Sequence, residues 1–155
     1  WDGFIINKFP VETATAFQGT DIPLARWADV LLMYAEAEVR KNNAAPSADA
    51  IAAVNEVRKR AGLGDLPSSA TANVEAFLDA LLTERGHEML YEGMRKIDLI
   101  RFNQYAQCTA KIKGVAPTHQ YVPIPNYAVQ QASESYGKVL VQTFGWKADL
   151  AAARN

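Results

Sequence analysis

The chain has 155 residues, 49% of them hydrophobic and 21% charged, with a formal net charge of -1. This is the composition of one folded globular domain, not of a disordered segment. It offers no basic excess with which to hold phosphate, so nucleic acid is not an expected partner. No apolar run approaches the ~20 residues of a membrane-spanning helix, and the single cysteine, Cys108, cannot form an internal disulfide.

The sequence opens on Trp1-Asp2-Gly3-Phe4 without an initiator methionine, so part of a longer protein is expected. Residues 1–20 read as extended and loop-like, with a short strand over Phe4, Ile5, Ile6 and Phe9 ended by Pro10. Asp21-Ile22-Pro23 then reads as a helix start with proline in the first turn. The first predicted helix covers about residues 24–41. Leu24, Trp27, Ala28, Leu31, Tyr34 and Ala35 share one face, while Val30, Met33 and Val39 are apolar on others. A helix apolar on several sides is expected to be covered on several sides. Residues 42–46 form a turn, and Ser47 is a good N-cap for a second helix over about 48–61, with Gly62 as its stop. Ile51, Val54 and Val57 form its apolar edge. The two helices make a unit of about tetratricopeptide-repeat size, with no second copy in the chain.

A loop rich in glycine, proline and serine follows over residues 64–72. Asn73 caps a third predicted helix that reaches about residue 92. Gly93 breaks it, and a fourth helix runs from Met94 to about Tyr105. From Lys111 onward the helical period fades. Tyr121-Val122-Pro123-Ile124-Pro125 must be extended, because proline disfavours helix for itself and its predecessor. Residues 126–146 read as turns and short extended pieces, and 147–155 as a weakly helical tail. The expectation is a mainly α chain, a single portion over 1–155. It comprises a helical scaffold over about 21–106, with a tetratricopeptide-like helix pair and a second helix pair, and an irregular extended tail over about 107–155.

The segment from Glu84 to Arg101 carries the most information. Leu78, Leu81, Leu82 and Met89 form one helical stripe, and Arg85 and Glu92 fall inside it. An isolated buried charge costs several kcal/mol, so such groups are functional or are buried with partners. Glu84, Glu88 and Glu92 share a flank at i, i+4 and i+8 and repel one another. Arginines relieve that repulsion, and the candidates are Arg26, Arg95 and Arg101, with Arg85 itself. Asp98 stands three residues from both Arg95 and Arg101 and can bridge them along the fourth helix. The expectation is a structural ionic network of Arg26, Arg85, Glu88, Glu92, Arg95, Asp98 and Arg101 that pins the third helix to the fourth and the first. Removal of Glu92 would then strand a buried arginine, at about 3–5 kcal/mol.

Catalytic readings fare less well. Glu84-Arg85-Gly86-His87 has the Glu-x-x-His spacing of di-iron bundles, but such a site needs a second copy and further carboxylates, so no metal is expected. Paired carboxylates can hydrolyse glycosides, yet Glu84 and Glu88 on one helix do not straddle a substrate. No nucleophile or phosphate loop is recognisable, so neither catalytic residues nor a cofactor are expected. Most aromatics outside the predicted helices are expected to fill the core. Trp1, Tyr121, Tyr136 and Trp146 remain as weak candidates for stacking on a sugar ring.

Four motifs in order resemble one family. Pro23-Leu24, Arg26 and Ala28-Asp29-Val30-Leu31-Leu32-Met33-Tyr34-Ala35-Glu36-Ala37 resemble the first helix motif of the SusD/RagB family. Asn55, Val57-Arg58 and Arg60-Ala61-Gly62-Leu63 resemble its second. Glu84-Arg85, Glu88, Glu92-Gly93, Arg95, Asp98-Leu99 and Arg101 resemble its charged block, and Pro123-Ile124-Pro125 its late proline element. The resemblance implies the C-terminal region of a cell-surface lipoprotein of the outer membrane of Bacteroidota. Such a protein binds nutrients without catalysis and delivers oligosaccharide, or in some cases peptide, to a SusC-like TonB-dependent transporter. It implies a membrane attachment only through a lipid on the absent N-terminal part. Gly86 departs from the larger residue expected there. The alternative is a tetratricopeptide-like scaffold for protein–protein interaction.

Overall fold

In the computed structural model, residues 8–9, 23–136, 140 and 142–143 are described, with the side chains of 133–136 excepted. Six α-helices lie among them, and no strand does. The strand expected over Phe4–Phe9 and the tail at 147–155 fall outside the described residues, apart from Lys8 and Phe9. The chain divides into two compact units, Trp1–Leu99 and Ile100–Asn155.

In the first unit, α1 (Trp27–Asn42) and α2 (Ala48–Arg60) pack side by side. The connection is short because Asn43 takes the left-handed conformation, φ 47°, and donates its N–H to Val39 O. Asparagine tolerates that region better than other residues with a Cβ. Ser47 caps α2, its Oγ accepting from the Ala50 N–H at 3.2 Å. Contacts at both ends of the pair show that the helices run antiparallel: Ser47 N–H donates to Glu38, and Trp27 Nε1 donates to Glu56. Gly62, φ 77°, follows the end of α2 and allows the chain to turn back. The loop beyond is fastened to α2 by its own polar residues. Asn55, buried, accepts from the Leu66 N–H at 2.9 Å, and Arg58 Nε donates to Gly64 O at 2.8 Å.

The buried side of α1 is Ala28, Leu32, Ala35, Glu36 and Val39. This is one step around from the predicted face. Leu24 precedes the helix and is exposed, as are Trp27 and Tyr34, and Pro23 lies outside the first turn because Arg26 is the N-cap. Against α1 pack Ala50, Ala53, Val54 and Val57 of α2, and the core is completed by Phe77, Leu81 and Leu82 of α3 (Val74–Glu88) and by Met89. Alanines at four of these positions let the helices approach closely. Asn73 caps α3 through its side chain, accepting from Ala76 N–H at 2.9 Å. A 3₁₀ turn, Ser68–Thr71, precedes that cap.

α3 ends at Glu88, four residues short of the predicted end at about residue 92. The turn that follows uses two left-handed residues, Tyr91 (φ 66°) and Gly93 (φ 74°). The predicted fourth helix is divided. α4 is Arg95–Arg101, α5 is Tyr105–Lys113, and Asn103 between them is left-handed, φ 56°.

The second unit also departs from the irregular tail expected from the sequence. Besides α5 it contains α6 (Asn126–Tyr136), where turns and extended pieces were expected. Pro125 sits ahead of α6, and its carbonyl accepts from the N–H groups of Ala128 and Val129. A proline at a helix entrance loses nothing by lacking an N–H. Val129 is the one buried apolar residue of this unit among those described. Ile124, inside the proline element, has both backbone groups taken by the Gln142 side-chain amide, at 2.7 and 2.8 Å. That amide imitates a strand partner in a segment whose flanking prolines have no N–H to donate.

Ser47→Ala removes the cap of α2 and is expected to lower stability by about 1 kcal/mol. A urea titration followed by helical circular dichroism checks this, and an unchanged midpoint would show that the cap is irrelevant.

Candidate functional site

The polar feature of the first unit is the charged face of α3. Its residues are placed by the helical repeat, and their partners come from every neighbouring segment. Arg85 is 1% exposed, the largest fully buried side chain among the described residues. Its Nε donates to Asp98 Oδ2 on α4 at 2.9 Å and its Nη1 to Asp29 Oδ1 on α1 at 2.8 Å. One guanidinium therefore joins α1, α3 and α4. Asp29 is in the first turn of α1, where the helix dipole also favours its negative charge.

The three glutamates of α3 and the following turn are each taken by cations. Glu84 pairs with Arg58 of α2 at 2.7 Å. Glu88 pairs with Arg26 at 2.7 Å and with Arg60 of α2 at 2.5 Å. Glu92 pairs with Arg26 at 2.8 Å and with Lys8. The main-chain carbonyl of Glu88, released at the end of α3, accepts from Lys8 Nζ at 2.8 Å and from Arg26 Nη2 at 2.9 Å. Two cations at this carbonyl satisfy a terminal orphan acceptor and complement the negative end of the helix dipole. These bonds stabilise the end of α3 at Glu88. The turn brings the Glu92 carboxylate back to the same two cations.

Burial pushes the Glu92 carboxyl up, but the hydrogen bonds from Arg26 and Lys8 outweigh it and hold the group below its ordinary value. Arg26 is raised, chiefly by its hydrogen bond to Glu92, against the opposing effect of burial. No buried side-chain nitrogen or oxygen among the described residues lacks a hydrogen-bond partner. A satisfied network of this kind avoids the penalty of a stranded ion.

The structure thus brings together Arg26, Glu88 and Glu92, and separately Arg85 with Asp98. Arg95 takes a different place from the one expected. Its Nη1 donates to Leu82 O on α3 at 2.8 Å, and the guanidinium lies over Gly86, where a Cβ would come within 2.7 Å of it. Gly86 therefore makes room for Arg95. Arg101 is exposed and lies over the Phe102 ring at 5.2 Å. Sequence reasoning missed Arg58, Arg60, Lys8 and Asp29 as partners, since they lie 26–84 residues from the charges they meet. Their only local signal was the surplus of carboxylates on one flank of α3.

Of the aromatic candidates, Tyr121 is exposed, in the second unit. Tyr136 lies in α6, but its side chain, like Trp1 and Trp146, falls outside what is described. Phe9, Tyr121 and Tyr127 are all exposed and do not fill a core as expected. Glu84 and His87 do not share a site: Glu84 is buried on Arg58 and His87 is exposed. No cluster of three potential metal ligands occurs among the described residues.

The sequence model of the SusD family matches residues 1–138. The chain belongs to the SusD family. It is 35% identical over 106 residues to the starch-binding protein SusD of Bacteroides thetaiotaomicron, covering 68% of this chain and 17% of that protein. It is 34% identical over 117 residues to the SusD-like protein P38 of Formosa agariphila, covering 71% of this chain and 23% of that one. The chain therefore spans about a fifth of the length of these curated relatives. A crystal structure of a SusD homolog from Bacteroides thetaiotaomicron superimposes with a TM-score of 0.66 at 28% identity, over 87% of this chain and 30% of that one. The mainly α architecture and the SusD/RagB resemblance read from the sequence are both in accord with these matches.

The charge geometry sets three expected outcomes. Asp98→Ala leaves Arg85 buried with Asp29 alone and is expected to destabilise by about 3–5 kcal/mol. The triple variant Arg85→Met/Asp98→Leu/Asp29→Asn, which leaves no carboxylate stranded, should recover much of that loss in the same denaturant titration. Glu92→Ala should be milder than the sequence suggested, about 1–3 kcal/mol, because Arg26 is partly exposed and keeps Glu88. The depressed Glu92 carboxyl contributes stability that is fully present above the ordinary value of 4.5 and is lost as the pH falls through the lower folded value. Glu92→Gln should flatten the acid limb of the melting-temperature profile below pH 4.5, and an unchanged limb would contradict this.

Proposed function

We propose that this chain is part of a nutrient-binding protein of the bacterial cell surface that captures oligosaccharide without chemical change. The observation that carries the reading is the family match over residues 1–138, joined to 35% identity with a protein named for starch binding. In this reading the parent protein is a lipoprotein held at the outer membrane by a lipid on its N-terminal part. It hands its ligand to a SusC-like TonB-dependent transporter. No helix among the described residues is long and apolar enough to cross a membrane. Attachment through a lipid or through a partner is compatible with that.

The role we assign to the charged face is mechanical. Arg26, Arg85, Glu88, Glu92, Arg95 and Asp98 hold helices and turns in register, whereas Arg101 stacks on Phe102. The carboxylates of α3 and the turn after it give no sign of catalysis: Glu84 and Glu88 are held by arginines, and Glu92 is driven toward its ionised form. A general acid would need the opposite shift. The reading as a tetratricopeptide-like adaptor for other proteins gains nothing specific from the α1–α2 pair, since the family match accounts for that pair equally well.

Calorimetric titration of the full-length gene product with maltoheptaose, other oligosaccharides and short peptides tests the reading. Saturable binding of an oligosaccharide, recovered unaltered, is the expected result, with the transporter co-purifying from outer membranes. Turnover of the glycan, or binding of peptides alone, would overturn it.

A further inference from the structure

We draw no further inference here: the strongest candidate, the exposed apolar side of α1 formed by Trp27, Val30, Met33 and Tyr34, carries nothing, because nothing in the structure shows what covers it in a family whose curated relatives are about five times the length of the matched segment.

Discussion

The first unit depends on one constraint: a guanidinium buried where a core helix would otherwise carry a hydrocarbon. Arg85 has almost no contact with solvent, so its charge is tolerable only if carboxylates are present at fixed distances. Asp98 on one side and Asp29 on the other supply them. Because the two lie on different helices, satisfying Arg85 also sets where α1 and α4 lie against α3. An apolar core of Ala, Val and Leu would tolerate some sliding of these helices. A guanidinium with directional donors does not, and register is gained at the cost of desolvating ions.

The same principle sets the end of α3. The terminal carbonyl at Glu88 is held by both Arg26 and Lys8, and Glu92 returns to the same cations. Arg26 occupies a central position here. Its backbone opens α1 as the N-cap, and its side chain closes α3. The start of one helix and the end of another are thus joined through one residue. The arginines of α2 attach the remaining helix, Arg58 to Glu84 and Arg60 to Glu88. Each charged residue of the family's central block that lies in the first unit has a place in this arrangement, whether by ion pair or, for Arg95, by a main-chain carbonyl.

Much of the fold was legible because its signals are local. Ser47 and Asn73 announce helix starts since a short polar side chain bonds the N–H three residues on, and both do so. Gly62 marks a left-handed residue after α2 that a Cβ would resist. Less was legible where a local pattern was ambiguous. Asn103 divides what reads as one helix, because asparagine is acceptable both inside a helix and in the left-handed region. α6 was hidden behind Pro123 and Pro125 and a polar sequence that buries only Val129 among its described residues. The candidate site was legible in part. An unpaired surplus of carboxylates on α3 demanded arginines, and Arg26 was among the residues that could meet it. Which other cations would do so was invisible, since sequence periodicity reports only neighbours three or four apart.

By itself the sequence determined the helical class, the caps, the α1–α2 unit, the family and the presence of charge in a core stripe. These follow from side-chain chemistry acting over a few residues, or from motifs in a fixed order. Only the tertiary structure decided which ions pair, where α3 stops, that Gly86 makes way for Arg95, and that Trp27 stands exposed. Those outcomes depend on distances between segments far apart in the chain. There the energy of an ion or an aromatic ring is set by what surrounds it in space, not by what adjoins it in sequence.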